Sequence, residues 1–504
     1  MKLFKLMENV SFTSNLPLEE INEIEIKDIA YNSRNCKEGF IFVALVGETV
    51  DGHKFAKNAY DNGARVFLLQ KEAKYNKHAM ELPSDAVKLF VDDTRISLSK
   101  ISHNFFSKPS ESLKIIGVTG TKGKTTITNY IATVLNESGV NTGVIGTNGT
   151  FFNGTYEVTA NTTPESYELH RIFRKMLDNG VKCVAMEVSS GGIMQNRVED
   201  VDFDVAIFSN LSPDHIGPKE HPTFEHYLQC KARLFKMAKH GIINVDDKYA
   251  KEIIKDATCD VETFAIENNA DLTADNIRYA KEIDSLGVSF DCNTKEDKFP
   301  CFICSPGTFS IYNALAVIAV CKYLGVKREI MIDALKSAKV NGRVEVLPVL
   351  PYATVIVDYA HNGVSLENIL QTLKNYDHNR LICLFGSVGG RTEIRRKELG
   401  DVAARECDLA ILTSDNPDFE DPMNVINDIA ESFEGSACEI IKIPDREEAV
   451  KYAIRNAKEG DMIVFAGKGH EKYQLINGEK IPFDEIDIAE SEAKKVLEER
   501  KLLA

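Results

Sequence analysis

At 504 residues the chain is too long for one ordinary hydrophobic core and has room for about three domains. Its 60 Lys+Arg stand against 76 Asp+Glu, and the net charge of −16 argues against general binding to nucleic acid or anionic membranes, while leaving room for a local basic pocket that holds a phosphorylated substrate. The opening MKLFKLMENV lacks the apolar run of a signal peptide, and no stretch approaches the roughly 18 apolar residues of a membrane span, so a cytoplasmic protein without membrane insertion is expected.

Eleven cysteines are scattered from Cys36 to Cys438, an odd number in a long chain, which speaks against a disulfide framework. Cys301 and Cys304 have CxxC spacing, but a zinc site would need a second ligand pair and none sits at a convincing distance. Buried or half-buried free thiols are expected instead.

Residues 1–110 carry short β-rich runs, Gly39–Leu45 and Arg65–Leu69, separated by turns such as Val50-Asp51-Gly52-His53, and predict a small α/β domain. A second domain, 111–342, opens on Leu113-Lys114-Ile115-Ile116-Gly117-Val118, the nearly continuous apolar run of a buried parallel strand. Ile127, Tyr130, Ile131, Val134 and Leu135 then recur on one helical face, and Gly139 supplies a stop. Further strands at Val181–Val188 and Val201–Leu211 alternate with helical stretches, so a doubly wound parallel sheet is predicted. A third domain, 343–504, alternates again, with strands at Thr354–Val357, Leu381–Phe385, Leu409–Thr413 and Met462–Ala466, and predicts a second, Rossmann-like open sheet.

Between the first strand and helix of the central region stands Gly117-Val118-Thr119-Gly120-Thr121-Lys122-Gly123-Lys124-Thr125-Thr126. In that context backbone N–H groups and the helix N-terminus face phosphates, Lys124 reaches the β- and γ-phosphates, and the Thr125 hydroxyl can ligate Mg²⁺. The strict pattern GxxxxGK[ST] fails because Val118 stands at the first glycine's spacing; what remains is GTKGKTT, residues 120–126.

GTKGKTT resembles the loop of the ATP-dependent muramyl-peptide ligases and their folylpolyglutamate synthetase relatives. These convert a carboxylate into an acyl phosphate that an amine then displaces, because a carboxylate does not react with an amine at neutral pH. The resemblance continues through Asn161-Thr162-Thr163-Pro164-Glu165-Ser166, Met186-Glu187-Val188-Ser189-Ser190, Gln195-Asn196-Arg197-Val198 and Ser209-Asn210-Leu211-Ser212-Pro213-Asp214-His215, to Lys231 in Cys230-Lys231-Ala232-Arg233-Leu234-Phe235. It implies that Gly120, Thr121, Lys122, Gly123, Lys124, Thr125 and Thr126 bind ATP, that Glu187 is a magnesium ligand, and that His215 helps to hold a second magnesium. Lys231 matches a lysine carbamylated by CO₂, which turns a cation into an anion able to support Mg²⁺. Read from the residues alone, a helix cap or a surface acid is the lesser alternative for Glu187, and an unmodified, salt-bridged lysine for Lys231. By the same resemblance Asn313, in Tyr312-Asn313-Ala314-Leu315-Ala316, contacts adenine, although a helix-capping asparagine is an alternative. Arg343, in Gly342-Arg343-Val344-Glu345, and Asp358 and His361, in Asp358-Tyr359-Ala360-His361-Asn362, are nucleotide-side positions.

The N-terminal series Asn32-Ser33-Arg34, Gly39–Ala44 and Asp51-Gly52-His53-Lys54-Phe55 resembles the uridine-binding domain of the family's third-step members, which add the third residue of the peptidoglycan stem. On that match Ser33 contacts the UDP-sugar, and Asn161, Thr162, Thr163, Ser189, Gln195 and Arg197 hold the rest of the UDP-N-acetylmuramoyl-dipeptide, with Arg197 a cation for its acidic groups. In the C-terminal domain Arg391, Asp415, Asn416, Asp418, Gly467 and Glu471 resemble amino-acid recognition loops, Arg391 gripping the α-carboxylate and Glu471 attracting an amino group. Members that take meso-diaminopimelate have Arg after Asn-Pro; here Asp418 stands there, an acid that favours an ammonium, so L-lysine is the expected amino acid, with ornithine next. A monomer is expected. Gly191, Gly363, Asn32 and Ser387-Val388 depart from the family pattern and leave room for a paralogue with an unusual acceptor. Two alternatives stay open: a folylpolyglutamate-type ligase, disfavoured by the extra N-terminal domain, and a P-loop ATPase switch or binding protein, which leaves Lys231 and the C-terminal loops without purpose.

Overall fold

A computed structural model of the chain describes all residues except 48–49, 73–76, 79–80, 215, 218–219, 282–284, 339–343, 391–392, 470 and 504, and the side chains of residues 393 and 503. It contains two compact units, residues 1–273 with 312–334 and residues 274–311 with 335–504.

The first unit begins with a five-stranded sheet of β1 (Thr13–Ser14), β2 (Asp28–Ala30), β3 (Phe40–Val43), β4 (Val66–Gln70) and β5 (Val87–Val91), in the order β1-β5-β4-β3-β2. All neighbours pair in parallel except β1 with β5. Ile29, Ile41, Val43, Leu68 and Leu89 pack with Leu98 and Ile101 of the helix Thr94–Phe105, which Asp93 caps by accepting the N–H groups of Arg95 and Ile96. The two β-rich runs expected near residues 39 and 65 are β3 and β4.

The second sheet of this unit contains β6 (Lys114–Thr119), β7 (Thr142–Gly146), β8 (Gly149–Phe152), β9 (Thr155–Glu157), β10 (Cys183–Glu187), β11 (Phe203–Phe208), β12 (Ala238–Asn244) and β13 (Asp260–Ala265), in the order β13-β12-β11-β6-β10-β7-β8-β9. From β13 to β7 every pairing is parallel, and β8 and β9 extend the sheet as antiparallel hairpins. β6 lies in the interior of the sheet, paired along both edges with β10 and β11, and Ile115, Ile116 and Val118, which point alternately to its two faces, are fully buried, as the apolar run requires. The helix Lys124–Glu137 buries the expected stripe Ile127, Tyr130, Ile131, Val134 and Leu135, at roughly 1.5–3 kcal/mol for each large side chain, and ends just before Gly139. From β6 the chain winds out to β7 and β10 on one side, then crosses to β11, β12 and β13 on the other. A crevice at the carboxyl ends of β6, β10 and β11 follows from that reversal. β14 (Leu272–Lys281) begins in this unit, pairing in parallel with β13 through Leu272 and Thr273.

In the second unit β15 (Leu286–Asn293) and β16 (Lys298–Ile303) form an antiparallel ladder. A further sheet of β17 (Glu345–Leu347), β18 (Thr354–Asp358), β19 (Arg380–Phe385), β20 (Leu409–Leu412), β21 (Glu439–Lys442) and β22 (Asp461–Ala466) runs in the order β17-β18-β22-β19-β20-β21. Only β17 is antiparallel to its neighbour. The four strands expected here are β18, β19, β20 and β22, and the hairpin of β23 (Tyr473–Ile476) and β24 (Glu479–Pro482) follows them. All eleven cysteines are free, nine of them buried and Cys259 and Cys304 half-buried. Among the described residues no helix is long and apolar enough to cross a membrane.

Candidate active site

The glycine-rich loop leaves the carboxyl end of β6 and enters the helix Lys124–Glu137 at Lys124. Gly123 caps that helix at φ +86°, and a Cβ there would stand 2.7 Å from the Asn313 side-chain oxygen, so only glycine fits both the backbone and the contact. Asn313 is the sixth residue of the helix Thr308–Tyr323, beyond the capping position of that helix, and is buried with its side-chain oxygen beside Gly123. The Thr121 N–H donates to the Asn210 carbonyl at 2.9 Å, and the Lys122 N–H to Asn210 Oδ1 at 2.9 Å. Ser209 Oγ donates to the Lys122 carbonyl at 2.7 Å, so the end of β11 holds the loop open. Thr126 lies in the first helical turn, half-buried.

Two lysines converge on one carbonyl. Lys124 Nζ donates to Gly120 O at 2.9 Å and to Thr121 O at 3.1 Å, and Lys231 Nζ donates to the same Gly120 O at 2.9 Å. Lys231 projects from the helix Phe224–Ala232, is 2% exposed, and lies 4.5 Å from the Tyr227 ring centre, whose hydroxyl is 3.1 Å from Thr121 Oγ1. Burial, and then the neighbouring Lys124 charge, push the Lys231 amine well below the ordinary lysine range, against the opposing pull of Asp214. Burial likewise lowers Lys124, with Glu187 opposing.

Glu187 ends β10 directly opposite Val118 of β6 and is 1% exposed. Its Oε1 accepts the Thr125 hydroxyl at 2.9 Å and the Thr147 N–H at 2.9 Å, and its Oε2 accepts the Thr147 hydroxyl at 3.2 Å. The surface-acid and helix-cap readings of Glu187 therefore fail. A hydroxyl and a carboxylate this close, on hard oxygen donors at the mouth of a phosphate-binding loop, fit the chemistry of Mg²⁺. Gly146, at the end of β7, leaves the carboxylate its place: a Cβ there would stand 2.3 Å from Glu187 Oε1. Because Thr125 and Thr147 hold that carboxylate, Gly146→Ala is expected to destabilise the protein by about 1–3 kcal/mol, read as a lowered urea midpoint.

The residues expected to hold the nucleotide-peptide gather beside Glu187. Thr162 Oγ1 is 3.0 Å from Thr147 Oγ1, and Thr163 Oγ1 donates to the Glu187 carbonyl at 3.0 Å and accepts the Ser189 N–H at 2.9 Å. Arg197 donates to the Thr163 carbonyl at 2.9 Å and to Gln195 Oε1 at 2.7 Å, and its Nε lies 3.6 Å from Glu165, which Arg95 also reaches at 3.2 Å. Asn161 is exposed at the edge of this cluster. Ser33 belongs to a different part of the first unit, a short 3-10 turn where its carbonyl accepts Asn62 Nδ2 at 2.9 Å.

In the second unit Asp358 ends β18 and accepts the N–H groups of Val344 and Ala360, each at 2.8 Å; its own carbonyl accepts the Gly467 N–H at 3.0 Å. His361 Nδ1 is 2.9 Å from the Tyr359 carbonyl. Asp415, Asn416 and Glu471 converge on Lys468, which is fully buried, with Nζ–O distances of 3.1, 2.6 and 3.5 Å respectively. Asp418 departs from expectation. At φ +52° its Oδ1 accepts the Gly478 N–H at 2.8 Å, and its backbone exchanges bonds with Leu475 and Asn477, so the carboxylate secures a turn against the β23–β24 hairpin. The lysine expectation, which rests on an Asp418 carboxylate given over to an incoming ammonium, loses its structural support. His215, Arg343 and Arg391 lie outside the described residues. Thr147 and Tyr227 are functional candidates that no local pattern marks, whereas Asn210 lies within the Ser209–His215 motif and Lys468 beside Gly467, neither with a role of its own expected there.

Three family descriptions match the chain: "Mur ligase family, catalytic domain" over residues 25–106, "Mur ligase middle domain" over 118–321 and "Mur ligase, glutamate ligase domain" over 342–469. A protein of Clostridium botulinum named UDP-N-acetylmuramoyl-L-alanyl-D-glutamate–2,6-diaminopimelate ligase is 40% identical over 479 residues, which cover 94% of this chain and 96% of that one. A solved structure of a ligase with the same activity name superposes with a TM-score of 0.71 at 29% identity, covering 93% of this chain and 95% of that one. The MurF ligase of Thermotoga maritima, solved in complex with ADP, shares the fold with a TM-score of 0.60 at 19% identity, covering 95% of this chain and 99% of that one.

Proposed function

Because the chain belongs to the Mur ligase family, we propose that it uses ATP to join an amino acid to a carboxylate of UDP-N-acetylmuramoyl-L-alanyl-D-glutamate, the third-residue step of peptidoglycan stem assembly. The observation that carries this reading is the meeting of Lys124 and Lys231 on the Gly120 carbonyl, beside the Thr125–Glu187 pair.

In this reading the loop N–H groups and the helix N-terminus bind the triphosphate, and Lys124 offsets charge on its β- and γ-phosphates. Thr125 and Glu187 would hold Mg²⁺, which when bound would supply charge neutralisation at the phosphates. The substrate carboxylate attacks the γ-phosphorus and ADP leaves, giving an acyl phosphate. The amine of the incoming amino acid then attacks the acyl carbon, phosphate departs, and the nitrogen loses a proton. Lys231 in its neutral form is a nucleophile toward CO₂; the resulting carbamate, with release of one proton, puts an anion where the ammonium stood. Thr162, Thr163, Ser189, Gln195 and Arg197 position the peptide end of the nucleotide beside Glu187.

For the amino acid we propose 2,6-diaminopimelate, the acceptor in the names of relatives that match nearly the full chain. This corrects the lysine expectation. The test supplies UDP-MurNAc-L-Ala-D-Glu and ATP and measures phosphate release with meso-diaminopimelate, L-lysine and L-ornithine. A kcat/KM for diaminopimelate at least about tenfold above the others, some 1.4 kcal/mol of discrimination, is expected. A preference for lysine or ornithine removes the acceptor assignment, and ATP turnover indifferent to both acceptor and UDP-peptide removes the ligase reading itself.

A further inference from the structure

Behind the lysine-bearing helix lies a cluster that the ligase chemistry does not use. His221 precedes the helix Phe224–Ala232, and His226 and Cys230 project from one face of it at i and i+4. One ligand atom from each of the three lies within 4.8 Å of the others. His221 Nδ1 and His226 Nδ1 are 2.9 Å apart, and Cys230 Sγ is 3.9 Å from His226 Nδ1. His221 and Cys230 are buried.

We propose that His221, His226 and Cys230 form a zinc site with three protein ligands and one open coordination position. Two imidazoles and a thiolate are borderline-soft donors suited to Zn²⁺, and they contrast with the hard oxygens of Thr125 and Glu187. Nitrogen ligands of a tetrahedral zinc stand about 3.4 Å apart, so the two rings need to part by only about half an ångström from their present contact. The outer sphere is already built: His221 Nε2 lies 2.9 Å from the buried hydroxyl of Ser190, so its proton can sit there while Nδ1 faces the metal. Binding then releases the proton of the Cys230 thiol and uses the unprotonated Nδ1 of each histidine. His226 and Cys230 also line a cavity of about 320 Å³, together with Met194, Gln229, Ala232, Arg233 and Lys236, which gives room for a fourth ligand. Cys230 immediately precedes Lys231, so a metal here ties the turn that carries the active-site lysine to the loop holding His221 and to Ser190.

The test uses the full-length chain after dialysis against a chelator, with Zn²⁺ and Co²⁺ as probes and no activity readout. One zinc per chain retained through gel filtration, and a thiolate-to-cobalt charge-transfer band, are the expected results. Cys230→Ser abolishes the band, and His226→Gln weakens zinc binding at least about tenfold. Circular dichroism of the metal-free variants checks folding, and His226→Gln, at a partly exposed position, decides if Cys230→Ser does not fold. No charge-transfer band in the wild-type chain, or zinc held equally tightly by a folded His226→Gln variant, overturns the proposal. Neither outcome touches the ligase reading.

Discussion

Lys231→Ala is expected to lower kcat by about 10²–10³-fold, and millimolar formate or acetate is expected to restore part of the loss. The first half follows from position. Lys231 Nζ is buried 2.9 Å from the carbonyl that Lys124 also contacts, so in the proposed reaction whatever charge it carries would act directly on a phosphoryl group at the loop. The second half separates the two chemical identities of this side chain. As an ammonium it supplies a cation, and a small carboxylate placed in the space vacated by its stem would oppose it. As a carbamate it supplies an anion, and the same carboxylate replaces the missing group.

Burial and the Lys124 charge already favour the neutral amine, the form that reacts with CO₂. Rescue by methylamine and not by formate would refute the carbamate. Loss of fold does not confuse the result, because removing a buried amine relieves its desolvation cost, which offsets the lost hydrogen bond to the Gly120 carbonyl and the contact with Tyr227. A thermal melt of the variant within a few degrees of the parent is expected.

How far the sequence reaches is clearest along β6. Its apolar run, the helical stripe after it and the glycines between them are local features, and the strand, the loop and the helix all stand where they point. Glu187 and Lys231 lie more than 40 residues apart in the chain, yet the loop brings them together, as the ordered family resemblance implies. Thr147 and Tyr227 are not legible, because a threonine after a strand or a tyrosine in a helix becomes a site residue only through the sheet order that places it. Asp418 was misread for a related reason. Its residue type suggested charge complementarity, but its left-handed backbone turns the carboxylate onto the Gly478 N–H, and no pattern in the sequence gives that direction. Cysteine spacing likewise does not mark His221, His226 and Cys230, three side chains that come together across a loop and a helix.

Glu187→Gln isolates charge from packing at the position proposed to hold Mg²⁺. The amide oxygen of Gln can still accept the Thr125 hydroxyl and the Thr147 N–H, as Oε1 does now. The amide nitrogen can donate to Thr147 Oγ1, whose own proton then turns to Thr162 Oγ1, 3.0 Å away. Every hydrogen bond has a replacement, so the unfolding free energy is expected to move by less than about 1 kcal/mol. The negative charge has none. Hard-cation affinity depends on it, so kcat is expected to fall by about 10²–10³-fold at the parent's saturating Mg²⁺, with the Mg²⁺ requirement shifted to higher concentration. Glu187→Ala provides the contrast: it strands the Thr147 N–H as well and adds about 1–3 kcal/mol of destabilisation in urea unfolding. If Glu187 only ties β10 to the loop, the Gln variant retains its activity and its Mg²⁺ dependence while the Ala variant loses stability. That pattern would remove the carboxylate from the metal site.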